Sequence, residues 1–135
     1  MAFNLNKAPT FKDTYVLQLK DAITDELLFE DDKQQVPVTI TLYGKSSKQY
    51  RNAVNGMQNR ELRRRAKKDV ASAEQMQKES TDLLVACSAT STLELDGELV
   101  DNKAAFEKLY TNTELSWIRD QVDAALGDDA NFLAK

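Results

Sequence analysis

Apolar and polar residues alternate twice in the first third of the chain. Tyr15, Leu17 and Leu19 alternate with Val16, Gln18 and Lys20, and Val36, Val38, Ile40 and Leu42 alternate with Thr39, Thr41 and Tyr43. Successive side chains on a strand point to opposite faces, so both runs predict half-buried strands. Between them, Asp21 to Glu26 predicts a polar turn, Leu27-Leu28-Phe29 a short return strand, and Glu30 to Lys33 a second turn. The simplest arrangement is a small antiparallel meander over residues 14–43. Glu30-Asp31-Asp32 lacks the spaced oxygen ligands and central glycine of a calcium loop and reads as part of the turn.

After Gly44 the period changes to that of a helix. Ser46 with Gln49 three residues later predicts a capping box, followed by a stripe through Tyr50, Val54 and Met57. The stripe runs on through Leu62, Ala66, Val70 and Ala73, then Met76, Ser80, Leu83, Leu84 and Cys87, to a Ser/Thr-rich stop at Ser88 to Thr92. Two helices, or one long helix kinked near Gly56 to Asn59, fit this pattern equally. Asp96-Gly97 between short apolar runs predicts a tight hairpin. Asp101 or Asn102 caps a helix carrying Ala105, Phe106, Leu109 and Tyr110, and Thr111 to Glu114 predicts a further capping box. The last helix aligns Leu115, Ile118, Val122, Ala125 and Leu126 and ends at Gly127. The expected fold is therefore α+β: an N-terminal antiparallel β-meander, then a mostly helical bundle over about 46–127 interrupted by a short hairpin. A short acidic tail, 128–135, completes a single domain spanning 1–135.

Composition narrows the chemistry. The 135 residues are 41% hydrophobic and 30% charged, enough for one core in water. No window approaches the roughly 18 consecutive apolar residues of a membrane helix, and Met1 to Lys12 lacks the layout of a signal peptide, so a cytoplasmic protein is expected. The chain has no histidine, which removes histidine-based triads and zinc sites. The lone Cys87 reads as a small buried apolar residue. Gly44-Lys45-Ser46 sits where a phosphate loop would, but the glycine required five positions earlier is Thr39. Gly44 reads instead as a turn residue. No catalytic residue, cofactor or metal site is predicted, and the chain reads as a protein that binds other proteins.

Charge is uneven along the sequence. Of 18 basic and 22 acidic residues, six basic and one acidic fall between Arg60 and Lys68, leaving 12 and 21 elsewhere, a difference of −9. Such a two-signed molecule favours head-to-tail association, with Arg60, Arg63, Arg64 and Lys67 as candidate self-association residues. A solvated helix face is the plain alternative. The surrounding negative charge and the lack of interleaved aromatics weigh against a nucleic-acid interface. Trp117 lies off the centre of the last helix's apolar stripe, above Gln121, and packs either on the preceding helix or on a partner. Phe132 either folds back as a plug or is offered to a partner. Trp117, Gln121 and Phe132 are the candidate partner-binding residues.

The order of these features resembles the tail assembly chaperones of long-tailed bacteriophages and prophages. The resemblance rests on Tyr43-Gly44-Lys45-Ser46 with Tyr50-Arg51, on Leu83-Leu84 leading to Leu93 to Val100, on Asn102 and Leu109-Tyr110, and on Trp117-Ile118, Gln121-Val122 and Asn131-Phe132. It spans most of residues 14–132. It implies a non-enzymatic role in the bacterial cytoplasm: coating the helical tape measure protein until tail tube protein polymerises around it, then being absent from the finished virion. It also implies self-association into rings or spirals, and in many phages a longer frameshifted form that recruits the tube protein. A permanent subunit of the tail or head–tail junction is the alternative expectation, and a nucleic-acid-binding regulator a third.

Overall fold

The structure, a computed structural model, describes residues 2–134; Met1 and Lys135, the outermost residues of the expected domain and tail, lie outside it. Strands β1 (Thr14–Gln18), β2 (Thr39–Tyr43) and β3 (Ser88–Ser91) form an antiparallel sheet with β2 in the centre. Helices α1 (Lys48–Ala66), α2 (Ala73–Ala86), α3 (Lys103–Thr111) and α4 (Ser116–Gly127) make up the helical part, and β4 (Glu94–Leu95) with β5 (Glu98–Leu99) forms a two-residue-turn hairpin. This is the α+β arrangement that the change of period predicts.

The first pair of strands follows the alternation closely. Leu17 lies opposite Ile40 and Tyr15 opposite Leu42, and Leu19, Ile40 and Leu42 are fully buried. The return strand predicted at Leu27-Leu28-Phe29 does not form a ladder. Isolated bridges, Lys20 to Leu27 and Phe29 to Pro37, hold it, with backbone bonds from Leu28 N to the Leu19 carbonyl, Val38 N to the Leu28 carbonyl and Glu30 N to the Val36 carbonyl. Pro37 has no N–H to donate, so it leaves a gap between the bonds made by its neighbours Val36 and Val38. The flanking turns close without glycine because Asp25 and Gln34 themselves take left-handed backbone, φ 60° and 56°. Asp21 and Asp31 tie these turns by accepting backbone N–H groups two to five residues on.

The third strand of the sheet is Ser88–Ser91, inside the stretch expected to be a stop. Its two serines look like loop residues, but their hydroxyls are satisfied internally. Ser88 Oγ donates to the Leu84 carbonyl and accepts from the Tyr110 hydroxyl at 2.6 Å, while Ser91 Oγ donates to the Val100 carbonyl. Polar strand residues are thereby paired rather than solvated.

Several helix boundaries differ from expectation. The N-cap of α1 is Ser47, whose Oγ accepts from Tyr50 N; Ser46 instead donates toward the Lys12 carbonyl and the Asp13 carboxylate. α1 runs unbroken through Gly56 to Asn59 and stops at the basic run, where Lys67 caps it and Lys68 takes φ 58°. One interior glycine costs a helix only about 1 kcal/mol. The break comes instead at 67–72, where Ser72 and Gln75 form a reciprocal capping box that starts α2. Near α4, the predicted Thr111–Glu114 box is replaced by Asn112, which accepts from Glu114 N and opens a single 3-10 turn, while Thr111 donates back to Glu107. Asn102 caps α3 as expected.

The core gathers the inner faces of β1, β2, α2, α3 and α4, with Phe106 stacked on Tyr110 at 5.8 Å. Cys87 lies within it, and burial pushes its thiol up to about 11, so it acts as an inert apolar group. α1 contributes no buried residue; its main packing partner is α2. Charge holds the two together. Glu79 of α2 accepts from Arg64 at 2.7 Å and from Arg60 at 3.3 Å, and Arg64 also reaches Glu61 at 2.7 Å. The hydrogen bond from Arg64 holds both carboxyls below their ordinary value of 4.5. Groups with depressed folded values stabilise above the unfolded value and lose that contribution as pH falls through the folded one. α1 is therefore expected to loosen from α2 below pH 4.5 before the core unfolds. Amide exchange along α1 measured against pH reads this, and Glu79→Gln should give the acid pattern already at neutral pH.

Candidate functional site

The periodicity of α4 creates two stripes. Ile118, Val122, Ala125 and Leu126 point into the core, and Trp117, Gln121, Ala124 and Asp128 form a neighbouring row at spacings of four, three and four. That second row faces the end of β1 and the turn after it. Gln121 makes the joint: its Nε2 donates to the Lys20 carbonyl and its Oε1 accepts from Lys20 N, each at 2.8 Å. The side chain thus acts as a strand partner for a residue 101 positions away.

Between this row and the turn lies an open groove of about 450 Å³. Trp117, Leu17 and Ala124 give it an apolar floor, and Asp21, Asp25, Asp120 and Asp128 line it against a single cation, Lys20. Ile23, at the tip of the turn, is 93% exposed. Backbone N–H groups of Thr24 and then Ile23 hold the Asp21 carboxyl below its usual value of 3.8. α4 has no basic residue in its last turn, leaving the negative end of its dipole uncompensated beside Asp128. Among the described residues the Trp117 indole N–H has no acceptor. The groove suits a segment that offers apolar side chains together with cations.

Of the three residues expected to meet a partner, the structure brings Trp117 and Gln121 together and places Phe132 elsewhere. Phe132 is the plug of the two alternatives: only 3% exposed, edge-on to Tyr15 at 5.7 Å, and pressed on Gly44. Its segment is fastened by Lys12 N donating to the Phe132 carbonyl, Ala134 N to the Thr10 carbonyl at 2.8 Å, Asn131 Nδ2 to the Ala125 carbonyl, and a Lys45–Asp129 ion pair at 3.2 Å. Phe132 offers no surface to a partner in this structure. Chain comparison adds no family. Comparisons with protein-family models, curated proteins and solved structures return no match.

The basic cluster divides in the same way. Arg60 and Arg64 turn inward onto Glu79, whereas Arg63 and Lys67 point outward with no carboxylate within 4 Å among the described residues. Two of the four expected self-association residues are therefore committed within the chain.

Sequence reasoning missed the acidic rim, whose two halves lie about 100 residues apart, and it missed Arg119. From α4, Arg119 donates to Thr81 Oγ1 at 2.8 Å, to the Tyr110 carbonyl at 3.1 Å and to Ser80 Oγ at 3.3 Å, joining α2, α3 and α4. Arg119→Met should cost about 2 kcal/mol, the scale of hydrogen bonds from a charged donor, as read by urea unfolding. Among the described residues no group of His, Cys, Asp and Glu could hold a metal ion, and no helix is long and apolar enough to cross a membrane.

Proposed function

We propose that this chain is a tail assembly chaperone of a long-tailed phage or prophage, acting by holding a segment of the tape measure protein in the Trp117 groove. The observation that carries the site is the groove itself: an open floor containing Trp117 and lined by four aspartates. A tape measure helix presents an apolar stripe that aggregates when left free, and flanking lysines or arginines would meet the aspartates. The likeness of residues 14–132 to such chaperones supports the cargo's identity. Gln121 serves by anchoring α4 to the turn, which sets the groove's width, rather than by touching cargo. By the same resemblance the chain helps recruit tail tube protein, which in many phages of this kind is done through a longer frameshifted form.

The single tryptophan of the sequence gives a direct readout. Titrating overlapping tape measure peptides into the protein should shift Trp117 emission to the blue with the peptides whose apolar stripe is flanked by cations. A tape measure set that leaves the emission unchanged throughout would overturn the assignment of this groove. Stoichiometric amounts of the chain in purified virions would overturn the chaperone role in favour of a structural subunit.

A further inference from the structure

Helix α1 leaves one long face without a partner. None of its 19 residues is buried, and it packs mainly on α2. Tyr50, Val54, Met57, Glu61 and Arg64 are partly covered along one side. Opposite them, Lys48, Asn52, Asn55, Asn59 and Arg63 follow at spacings of four, three, four and four, and all five are exposed. Asparagine is a poor residue for a helix interior, because its amide competes for backbone groups. Three aligned on this stripe weaken the helix with no return inside the chain: among the described residues the side-chain hydrogen bonds of α1 are made by Arg51, Arg60, Glu61 and Arg64, and none by these amides. A local rule broken three times on one face, with no packing reason, points to something that the face meets. Residues 48–68 also hold eight basic residues against one acidic, Glu61, which Arg64 takes at 2.7 Å. Lys48 and Arg51 stand at one end of the amide stripe, and Arg63, Lys67 and Lys68 at the other.

We propose that the outward face of α1 docks in the major groove of duplex DNA, with Asn52, Asn55 and Asn59 at base edges and the cations at either end on phosphates. Charge complementarity selects a polyanion, and the amides select among polyanions. A B-form major groove, about 12 Å wide, admits a helix, and an asparagine amide matches the N6 and N7 edge of adenine with two hydrogen bonds. Amides between two groups of cations reproduce the division of labour in which base contacts specify and phosphate contacts position. Single strands are held by stacking on aromatic side chains, which this stripe lacks, and the deep, narrow major groove of duplex RNA excludes a helix. A protein partner would need apolar anchors, and Leu62 is the one large hydrophobic residue of α1 that is exposed. The net charge of −4 comes from the rest of the chain, so the molecule's field turns α1 toward a polyanion and its other faces away. Arg60 and Arg64 take no part, because Glu79 holds them. Neither the Trp117 groove nor its occupant enters this inference.

The test is the fluorescence anisotropy of a labelled random-sequence duplex of about 20 base pairs, titrated with the full chain. Affinity should fall with salt at a log–log slope of about −4.5, as for about five phosphate contacts. Arg63→Gln/Lys67→Gln should make that slope shallower by about two for every duplex, with unchanged far-ultraviolet dichroism, since glutamine is a good helix former. Duplexes selected on the protein from a randomised pool should bind about tenfold tighter than the pool itself. Asn52→Ala/Asn55→Ala/Asn59→Ala should abolish that advantage while keeping the pool affinity and its slope, in a helix more stable than before. No binding of duplex at about 50 mM salt, a slope untouched by the glutamine variant, a pool that yields no tighter duplex, or an advantage that survives the alanine variant would each overturn the proposal. Displacement of the duplex by poly-glutamate at equal charge would also overturn it, and would mark the face as one for an acidic protein. No tape measure protein is present, so these results stand whatever the outcome at the groove.

Discussion

Phe132→Ala should lower stability by about 3 kcal/mol and free the segment beyond α4. Truncating a buried phenylalanine removes its transfer free energy and leaves a void that neighbours fill only in part. The ring rests on Tyr15 and on Gly44, where an added Cβ would come within 3 Å of three ring carbons. Gly44 is thus a packing requirement of Phe132. Gly44→Ala should destabilise by a comparable route, through displacement of the ring. Residues that share one contact do not add, so the double variant should be little worse than either single one, and the shortfall measures their coupling. Urea unfolding of the four proteins gives the cycle. Additive losses would mean that the plug and the turn are independent, contrary to the geometry. The hydrogen bonds of Lys12 and Ala134 should be lost with the ring, and amide exchange at those two residues reads this separately.

Ala124→Arg should abolish partner retention while leaving the fold intact. Ala124 is an exposed position on α4 at the floor of the groove, where arginine is a good helix former. The new guanidinium would lie among Asp21, Asp25, Asp120 and Asp128, satisfying the rim and covering Trp117 as a partner's side chain would. Stability should hold or rise slightly, and soluble tape measure protein should fall by tenfold or more, a difference of about 1.4 kcal/mol or greater in binding. Retention equal to wild type would place the cargo on another face. An equivalent change on the outer face of α1, Asn52→Arg, should have no such effect.

Elements defined by local period were legible in the sequence. Leu17 with Ile40 and Leu42 gave the inner face of the sheet, Asp96-Gly97 gave the hairpin with φ 54° and 82°, and the α4 stripe gave the core face of the last helix. The misses arise where distant residues decide. Ser88–Ser91 reads as a stop until Thr39–Tyr43 and Tyr110 satisfy it. Arg60 and Arg64 read as a free basic patch until Glu79 meets them across a hairpin. The break at 67–72 was masked by an apolar stripe that continues through it, although the Ser72–Gln75 box was present in the residues. Trp117 could be seen to sit off the core stripe, but the aspartates at 21 and 25 join those at 120 and 128 only through the Gln121–Lys20 latch.

The central claim is that the Trp117 groove holds the tape measure protein during assembly, and co-expression of the two with a photo-crosslinking residue in place of Ala124 tests it most directly. The account predicts that the tape measure protein stays soluble only when this chain is present, and that light joins the two through position 124 but not through a control at Asn52. A tape measure protein that remains insoluble beside the folded chain, or one that is solubilised without any crosslink from position 124, would contradict it.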